Sequence, residues 1–511
     1  MEGGAQMKLS EVYALLEKEC ACEPSLAWTE EREAEITDIC YDSRHACKGC
    51  VFVALTGARR DGHTFIPEAV QKGAIAVVCE DKTAAEQYGA RFSHLPMFCS
   101  NKTRRTLARL SAAFFGYPAE KLTLIGLTGT KGKTGTQTML AEMLEKSGVP
   151  CGRIGTNGID YAGVHADSDN STPESYELHR IFADMVAHGL RYCLLEVTSQ
   201  ALMQERVYGL TFDTAVFTNL SSDHIGKGEH HDFEEYRACK GKLFTMCKRA
   251  LINADDDHTS YFRAILEAHH VPYKTYSMQD KNADFYGSDE RFSLRNGRMQ
   301  TEYTLTEKKG ETRRLSVAVP GKFAIYNSLC AIGLARGYGV PCEAIEGALR
   351  NVRIFGRTEL VGHPKCPFPV LIDYAHNAAS LEALFEAVKV YHPERIFCVF
   401  GCGGNRSRLR RFAMGEISGK NATLSIITSD NPRDEEPEAI MADILVGVTR
   451  TQGKYRLIRD RAAAIEFALE QAEKNDMVLL VGKGQQTYEE ICGVKYPFDE
   501  RKLVKAYFDR L

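Results

Sequence analysis

The sequence predicts an α/β protein of three domains whose sheets are mainly parallel. Apolar runs of strand length recur along the chain with helical stretches between them, which is typical of parallel strands joined by helices. The 511 residues, 44% of them apolar, are enough for several domains with buried cores. Most runs end in glycine or polar residues, and in such sheets ligands bind beyond the carboxyl ends of the strands. Functional residues are therefore expected at the strand ends.

The expected strands begin near residue 51 and continue almost to the C-terminus. In order they are VFVAL (51–55), AIAVV (74–78), LTLIGL (122–127), YCLLEV (192–197), TAVFTN (214–219), FPVLIDYAH (368–376), RIFCVFGCGG (395–404), TLSIITSDNPR (423–433) and MVLLVGKGQQ (477–486). A helix is expected at 103–115. The charged and alternating stretch 284–319 predicts an antiparallel excursion at the edge of the central domain.

We place the domain boundaries near residues 102 and 355. The first domain, 1–102, contains the first two strand signals. The second, 103–355, begins with the expected helix, which leads to a glycine-rich loop. The third, 356–511, follows a change of composition at 353–357 and has strands of its own.

Charge and hydropathy exclude several classes of function. A formal net charge of −4 gives no basic surplus, so nucleic acid is not expected as a partner. The chain has no run of about 18 apolar residues, and its N-terminal stretch lacks the basic-then-apolar pattern of an export signal. These features predict a protein without a membrane span that stays in the cytoplasm and binds small ligands.

The chain has 17 cysteines, which in a protein that is not exported are expected to be reduced and mostly buried. Cys47 and Cys50 form a pair at the spacing of zinc ligands, but no second pair at this spacing follows. Packing in a turn is therefore the favoured interpretation of the pair, and a metal site is the alternative.

The clearest motif is LTGTKGKTGT at 127–136, which follows an apolar strand and opens a helix, as phosphate-binding loops do. The full pattern GxxxxGK[ST] requires a glycine where Leu127 stands, so only the shorter GxxGKT remains. It consists of Gly129, Thr130, Lys131, Gly132, Lys133 and Thr134. Backbone amides would surround a phosphate, Lys133 would bridge its outer oxygens, and the Thr134 hydroxyl would reach magnesium. The alternative is a glycine-rich helix start with a solvated lysine.

Two further strand ends carry groups that suit a magnesium-bound nucleotide. Glu196 closes the run at 192–197, and Asp223 and His224 follow the run at 214–219. An acid at a strand end is often only a helix cap, and a lone histidine is more often structural. Together with the glycine-rich loop, these residues predict a nucleotide site with magnesium.

Motifs along the whole chain resemble the Mur ligase family, and within it the members that add the third residue of the peptidoglycan stem peptide. The matching segments are CYDSR (40–44) and GCVFVALTGARRDGHTFIPEAVQKGA (49–74), then TGTKGKT (128–134), STPES (171–175), EVTSQALMQERV (196–207) and TNLSSDHIG (218–226), then GRTELV (356–361), DYAHNAASLE (373–382), GCGGNRSR (401–408), DNPRDEEP (430–437) and GKGQQ (482–486). The resemblance is specific because it covers all three expected domains in order.

The resemblance implies a UDP-binding α/β domain, a central P-loop ATPase domain with a parallel sheet, and a C-terminal Rossmann-like α/β domain. It implies that ATP transfers its terminal phosphate to a substrate carboxylate, and that an amino group attacks the acyl phosphate to give an amide, ADP and phosphate. The partners would be a UDP-N-acetylmuramoyl dipeptide, a diamino acid and ATP, with the enzyme acting as a monomer.

The resemblance also assigns site residues. Two Mg²⁺ ions would be held by Thr134, Glu196, His224 and a CO₂-derived carbamate on Lys240, whereas the residues alone predict Lys240 to be a solvated helix lysine. Further ATP contacts would be Arg357, Asp373 and His376. The UDP substrate would contact Ser43, Ser171, Thr172, Thr198, Gln204 and Arg206, although Ser43 and Thr172 alone are equally well interpreted as loop caps. The amino acid would contact Arg406, Asp430, Asn431, Arg433, Gly482 and Gln486.

The incoming amino acid is predicted from DNPR at 430–433, the form typical of ligases that add meso-diaminopimelate. Arg433 would pair with the far carboxylate that lysine lacks. The chain departs from the family pattern at Gln486, where a glutamate normally binds the distal ammonium, and at Gln200, Asn405 and the IFGR segment at 354–357. A paralogue that adds L-lysine or another amino acid therefore remains an alternative.

Other interpretations also remain open. An inactive nucleotide-binding scaffold would have the same fold, and folate polyglutamate ligases share the loop chemistry but lack a UDP-type first domain. Glu229, His230 and His231 predict a solvated loop, with a metal site as the alternative. The arginines after the strand at 395–404, Arg406, Arg408, Arg410 and Arg411, predict phosphate or carboxylate contact together with a solvated helix face, with a nucleic-acid patch as the alternative.

Overall fold

The computed structural model describes residues 7–20, 24–57, 60–223, 225–226, 229–295, 298–308 and 310–511. The chain divides into two compact units. Unit 1 contains Met1–Lys133 and Gly148–Lys274, and unit 2 contains Thr134–Ser147 and Thr275–Leu511. The three-domain boundaries near residues 102 and 355 stay a prediction. None of the helices in the described ranges combines the length and apolar character that a membrane crossing requires.

Helices follow most of the parallel strands. In chain order they are α1 (Leu9–Cys20), α2 (Ile66–Gln71), α3 (Lys82–Arg91), α4 (Thr103–Phe114), α5 (Lys133–Lys146), α6 (Ser175–Ala187), α7 (Ser199–Met203), α8 (Phe233–Gly241), α9 (Thr259–Ala268), α10 (Lys322–Gly337), α11 (Cys342–Leu349), α12 (Ala378–Lys389), α13 (Arg408–Asn421), α14 (Pro437–Thr449), α15 (Arg461–Gln471) and α16 (Glu500–Arg510).

The strands are short, as is usual for α/β proteins. In chain order they are β1 (Ile39–Cys40), β2 (Val51–Val53), β3 (Ala76–Cys79), β4 (Met97–Cys99), β5 (Thr123–Thr128), β6 (Cys151–Gly155), β7 (Gly158–Tyr161), β8 (Val164–Ala166), β9 (Tyr192–Glu196), β10 (Phe212–Phe217), β11 (Cys247–Asn253), β12 (Tyr273–Ser277), β13 (Phe285–Arg295), β14 (Arg298–Glu307), β15 (Thr312–Val317), β16 (Glu359–Val361), β17 (Val370–Asp373), β18 (Ile396–Phe400), β19 (Leu424–Ile427), β20 (Tyr455–Leu457), β21 (Met477–Val481), β22 (Tyr488–Ile491) and β23 (Val494–Pro497).

Unit 1 contains a small parallel sheet in the order β1-β2-β3-β4. Successive side chains of a strand point to opposite faces, and here both faces are covered. Val51 and Val53 pack with α1 and α4, whereas Phe52 packs on the other side with Ile66 of α2. Burial on both faces explains why β2 is a continuous apolar run rather than an alternating one.

The larger sheet of unit 1 positions the glycine-rich loop. Its strands run β11-β10-β5-β9-β6 with parallel pairing, and β7 and β8 add antiparallel strands beside β6. Leu127 of β5 pairs with Glu196 of β9, and Thr128 pairs with Phe217 of β10. The carboxyl ends of these three strands therefore meet at one edge, and the glycine-rich loop leaves from the strand in the middle.

Unit 2 contains a six-stranded sheet in the order β16-β17-β21-β18-β19-β20, parallel except for the edge strand β16. Cys398 and Phe400 of β18 pack on one face, and Phe397 and Val399 pack on the other. Beyond this sheet, β22 and β23 form an antiparallel hairpin. The carboxyl ends of β17, β18, β19 and β21 lead into the motifs that the sequence singled out in this part of the chain.

The α/β fold class is confirmed, and each of the expected strand runs contains a strand. The helix expected at 103–115 is α4, and the stretch 284–319 is antiparallel, since β14 pairs with both β13 and β15. The sequence missed strands such as β7, β8, β22 and β23. Their residues are mostly polar or exposed, so they carry no apolar run.

Candidate active site

The glycine-rich loop of unit 1 connects the end of β5 at Thr128 to the start of α5 at Lys133. Gly129 has φ 144° and Gly132 has φ 87°, a region that side chains rarely adopt. A Cβ on Gly129 would also overlap the Thr218 hydroxyl. The loop can therefore take this path only with glycine at position 129, and the backbone is free to approach a bound phosphate closely.

Two residues at the end of β10 hold the loop in place. The Asn219 carbonyl accepts from the Thr130 amide at 2.9 Å, and its side-chain oxygen accepts from the Lys131 amide at 2.9 Å. The Lys131 carbonyl accepts from Asn219 Nδ2 at 2.9 Å and from the Thr218 hydroxyl at 2.7 Å. Neither residue was predicted from the sequence, where Asp223 and His224 of the same motif were expected at the site instead. The sequence feature that could have indicated them is a Thr-Asn pair directly after β10, the strand that pairs with β5.

Two lysines donate hydrogen bonds to the same loop carbonyl. Lys133 Nζ lies 2.7 Å and Lys240 Nζ lies 3.0 Å from Gly129 O. Lys240 also lies over the Tyr236 ring, 4.6 Å from its centroid, and is only 2% exposed. The prediction of a solvated Lys240 is therefore wrong, because α8 directs this side chain at the loop.

The environment of Lys240 favours its neutral amine. Burial lowers the pKa of Lys240 well below its usual value, and the positive charge of Lys133 lowers this pKa further. The negative charge of Asp223 acts in the opposite direction but is a smaller cause. A buried lysine with a lowered pKa is a nucleophile at neutral pH, because its lone pair is not protonated.

Glu196 ends β9 with its side chain fully buried. Its Oε2 accepts from the Thr156 hydroxyl at 2.9 Å, and that hydroxyl lies 3.0 Å from Ser171 Oγ. A Cβ on Gly155 would lie 2.6 Å from Glu196 Oε1, so a glycine at 155 makes room for the carboxylate. The structure thus places a buried carboxylate at the same sheet edge as the loop. His224, predicted as a metal ligand beside it, lies outside the described residues.

Most of the predicted UDP-substrate residues form one network around Glu196. The Thr172 hydroxyl donates to the Glu196 carbonyl at 2.8 Å and lies 3.2 Å from the Thr198 hydroxyl. The Arg206 guanidinium donates to the Thr172 carbonyl at 2.8 Å and to Gln204 Oε1 at 2.7 Å. Ser171 joins the network through Thr156. Each of these residues therefore has a contact within the protein.

Ser43 lies elsewhere in unit 1, in a 3₁₀ turn after β1. Its hydroxyl donates to Glu68 Oε2 at 2.9 Å, and its carbonyl accepts from Lys72 Nζ at 2.8 Å. The interpretation of Ser43 as a substrate contact stays a prediction. The ion pair between Lys72 and Glu68 keeps two charged groups beside this hydroxyl.

In unit 2, the predicted amino-acid residues gather at the ends of β19 and β21. Asn431 donates from Nδ2 to Gln486 Oε1 at 2.8 Å, and a Cβ on Gly482 would overlap Asp430 Oδ2. Lys483, which the sequence analysis did not select, is fully buried at the centre of this group and donates to Asn431 Oδ1 at 3.2 Å. Burial lowers the pKa of Lys483, and the nearby Asp430 charge opposes that shift.

Arg433 in this group already holds a carboxylate. Its Nε donates to Glu490 Oε2 at 3.0 Å, and its Nη1 donates to the Gly404 carbonyl at 2.8 Å. Arg406, predicted as a second amino-acid contact, is exposed. Asn405, which replaces the usual aspartate, donates from Nδ2 to Asp434 at 2.6 Å. An ionised aspartate at 405 could not donate to that carboxylate, so asparagine is the side chain that allows this hydrogen bond.

The predicted nucleotide contacts of unit 2 surround Tyr374. The guanidinium of Arg357 lies 5.0 Å from the centroid of the Tyr374 ring, and His376 Nδ1 lies 3.1 Å from the Tyr374 carbonyl. Asp373 ends β17 and accepts from the backbone amides of Thr358 at 2.6 Å and Ala375 at 2.8 Å. The structure therefore brings Arg357, Asp373 and His376 together at one strand end.

Two sequence interpretations are wrong. Arg411 does not belong to a solvated face, since it is 1% exposed and donates to Glu435 at 2.7 Å and Asp443 at 3.1 Å. Arg411 is buried because α13 packs on α14. Asp443 of α14 and Glu435, just before that helix, neutralise its charge. His230 does not lie in a solvated loop, since it is fully buried with Nε2 2.8 Å from Ser199 Oγ.

The fold and the loop define a class of protein: an α/β protein with a nucleotide-type phosphate loop between parallel strands. Family models match in order as the Mur ligase family catalytic domain at residues 35–114, the Mur ligase middle domain at 127–335, and the Mur ligase glutamate ligase domain at 356–484. The chain belongs to the Mur ligase family.

Two relatives are named UDP-N-acetylmuramoyl-L-alanyl-D-glutamate–2,6-diaminopimelate ligase. That of Caldanaerobacter subterraneus is 38% identical over 472 residues, 92% of this chain and 94% of the relative. That of Bacillus velezensis is 37% identical over 481 residues, again 92% and 94%. A solved structure with the same name superposes with a TM-score of 0.70 at 28% identity and covers 99% of both chains. A MurF ligase from Thermotoga maritima in complex with ADP, at 19% identity and a TM-score of 0.57, has the same fold.

Replacing Asn219 by alanine tests whether this residue holds the loop. Alanine keeps the backbone carbonyl that binds the Thr130 amide but removes both side-chain bonds to Lys131. The Kd for ATP should therefore rise about tenfold, the effect of one or two lost hydrogen bonds. Calorimetric titration with ATP measures this change. Asn282→Ala is the matched control, because Asn282 is exposed and bonds Asp280 outside the site. Equal ATP affinity in Asn219→Ala and wild type would contradict the assignment.

Proposed function

We propose that the protein is an ATP-dependent amide ligase of peptidoglycan precursor synthesis. It adds a diamino acid, meso-diaminopimelate, to UDP-N-acetylmuramoyl-L-alanyl-D-glutamate through an acyl-phosphate intermediate. The observation that carries this proposal is the convergence of Lys133 and Lys240 on one loop carbonyl, beside strands that deliver Glu196 and the Thr172 network. The Lys133 ammonium therefore lies where two anionic substrates have to meet, and Lys240 lies beside it.

The chemical problem is the repulsion between a carboxylate and a triphosphate. In the first step a carboxylate oxygen attacks the terminal phosphorus of ATP, the bond from that phosphorus to the bridging oxygen breaks, and ADP leaves. Lys133 would exchange its bonds to the Gly129 and Thr130 carbonyls for bonds to the phosphate oxygens, and so stabilise the charge that moves. The loop amides would hold the phosphates in line for the attack.

The second step forms the amide. The amino group of the incoming amino acid attacks the acyl carbon, the bond to the phosphate oxygen breaks, and inorganic phosphate leaves with one of the original carboxyl oxygens. The attacking amine loses a proton in this step. Both steps need the substrate carboxyl group near the loop, and the network of Thr172, Thr198 and Arg206 lies beside Glu196 at that sheet edge.

Magnesium would neutralise part of the phosphate charge when bound. The groups that fit it are oxygen donors: the Thr134 hydroxyl, the Glu196 carboxylate and a carbamate on Lys240, with His224 as the one nitrogen donor. The fit is supported by the buried position of Glu196 and by the glycine at 155 that makes room for its carboxylate.

Lys240 is suited to carry a carbamate. Its neutral amine, favoured by burial and by the charge of Lys133, would add to CO₂ and release a proton, which gives an anionic carbamate. Without the modification, a protonated Lys240 would repel both Lys133 and a nearby cation. A carbamate on Lys240 would instead attract both Lys133 and a nearby cation, so the modification would stabilise the arrangement of charges in the site.

Diaminopimelate is the proposed amino acid because Arg433 binds a carboxylate already. Glu490 occupies the guanidinium in the described structure, and the far carboxylate of diaminopimelate would take its place. Lysine lacks that carboxylate. L-lysine remains the second candidate on a specific observation: Gln486 provides no negative charge for the distal ammonium, and its oxygen is engaged by Asn431.

A phosphate-release assay tests the function. ATP turnover should require both the UDP-muramoyl dipeptide and an amino acid. The kcat/KM for meso-diaminopimelate should exceed those for L-lysine and ornithine by at least about tenfold, because the latter two lack the far carboxylate that Arg433 would bind. An inactive scaffold predicts no release with any combination. A clear preference for lysine would refute the diaminopimelate assignment and leave the ligase assignment standing.

Replacing Lys240 by alanine tests the proposed carbamate. Turnover should fall at least about 1000-fold because a ligand of the magnesium that would neutralise the transferring phosphate is lost, while the Kd for the UDP-muramoyl dipeptide should stay within about threefold. Lys242→Ala, an exposed lysine two residues away, should keep the wild-type rate. Near-normal turnover in Lys240→Ala would remove the carbamate from the mechanism.

A further inference from the structure

Three cysteines of unit 1 form a cluster that the ligase mechanism does not use. Cys40, Cys47 and Cys50 place their sulfur atoms within 4.8 Å of one another. Cys40 ends β1, Cys50 lies directly before β2, and Cys47 lies on the turn between these parallel strands. The sequence analysis weighed only Cys47 and Cys50, because the third thiol lies on a neighbouring strand rather than at zinc spacing.

The backbone of the turn is fixed in the geometry that brings the thiols together. The Cys50 amide donates to the Cys47 carbonyl at 3.3 Å, which closes a β-turn over residues 47–50. Gly49, the third residue of this turn, has φ 86°, and a positive φ is what the third residue of a type II turn requires. The Gly49 amide donates to the Gly73 carbonyl at 2.9 Å, and a Cβ on Gly49 would lie 2.8 Å from the Thr37 side chain. The cluster is therefore built into the fold and does not depend on a mobile loop.

Polar groups around the sulfur atoms favour a thiolate in the cluster. The Cys47 amide donates to Cys50 Sγ at 3.5 Å. Hydrogen bonding from the Cys40 thiol is the main cause that lowers the pKa of Cys50, and the Cys47 amide lowers it further, whereas burial opposes both. The single proton of the Cys40 thiol is shared between Cys50 and the His45 carbonyl, which lies 3.4 Å from the Cys40 sulfur. Cys50 would thus lose its proton before the other two.

We propose that Cys40, Cys47 and Cys50 bind a thiophilic d¹⁰ cation, Zn²⁺ or Cu⁺, through three thiolates. Zinc–sulfur bonds of about 2.3 Å in a tetrahedron bring the sulfur atoms to about 3.8 Å from one another, so the described cluster needs to contract by only about 1 Å. Within the described ranges, no histidine, aspartate, glutamate or further cysteine joins this group. A trigonal site for Cu⁺, or a zinc site with one open position, follows from a set of three ligands.

Binding would connect the two ends of segment 40–50, which contains Ser43. Cys40 would give up its proton and with it the bond to the His45 carbonyl, which belongs to the same 3₁₀ turn as Ser43. The cation would therefore join β1 to the start of β2 and stabilise the small sheet. Since Zn²⁺ requires deprotonated ligands, its affinity should rise with pH.

Titration of the reduced, metal-free full chain with Co²⁺ tests the proposal. We expect one equivalent to bind with a thiolate-to-cobalt charge-transfer absorption, which the magnesium site could not produce because its ligands are oxygen and nitrogen atoms. Zn²⁺ added afterwards should displace the cobalt if the site is tetrahedral. Cu⁺ delivered from a chelator should bind in preference to Zn²⁺ if the site is trigonal.

Cys47→Ser is the decisive variant, because Cys47 is only half-buried and its replacement disturbs packing least. It should weaken Co²⁺ and Zn²⁺ binding at least about 100-fold, as expected when one of three thiolates is lost. Cys50→Ala should do the same, and Cys99→Ser, a half-buried thiol of the same sheet outside the cluster, should bind like wild type. Absence of the charge-transfer band in wild type, or its survival in Cys47→Ser, would overturn the proposal.

Discussion

The Gly129 carbonyl is the constraint on which the proposed chemistry depends. The side-chain nitrogens of Lys133 and Lys240 donate to it within 3.0 Å. Two cations this close would repel each other, so the positive charge of Lys133 helps to keep Lys240 neutral. ATP would bring negative charge to Lys133, and the proposed carbamate on Lys240 would place an anion beside it. The loop is therefore electrostatically poised for negative charge, and its position relies on Thr218 and Asn219 of the neighbouring strand.

The larger sheet of unit 1 brings residues that are far apart in the chain together at this site. Three parallel strands end at one edge: β5 delivers the loop, β9 delivers Glu196, and β10 delivers the residues that hold the loop. Parallel pairing makes the convergence possible, because it turns all carboxyl ends in one direction. The sheet of unit 2 is arranged in the same way. Asp373 ends β17, Asn431 follows β19, and Lys483 follows β21, and these parallel strands have their carboxyl ends at one edge of the sheet.

The sequence predicted the elements whose signal is local. Buried strands on two-sided sheets are continuous apolar runs, and the loop is a contiguous motif, so both were found. It did not predict contacts between segments far apart in the chain. Thr218 supports a loop 87 residues earlier, Arg411 is neutralised by one acid of α14 and one acid just before it, and Cys40 meets two thiols across a strand pair. Local patterns made Lys240 and His230 appear solvated, and only tertiary packing buries them.

The central claim is that the carboxyl group of the UDP-muramoyl dipeptide receives phosphorus from ATP before the amide forms. Labelling that carboxyl group with oxygen-18 and following the inorganic phosphate released during synthesis by mass spectrometry tests this claim most directly. The account predicts one labelled oxygen in each phosphate, because the acyl carbon–oxygen bond breaks when the amine attacks. Phosphate released without the label, while amide accumulates, would contradict it.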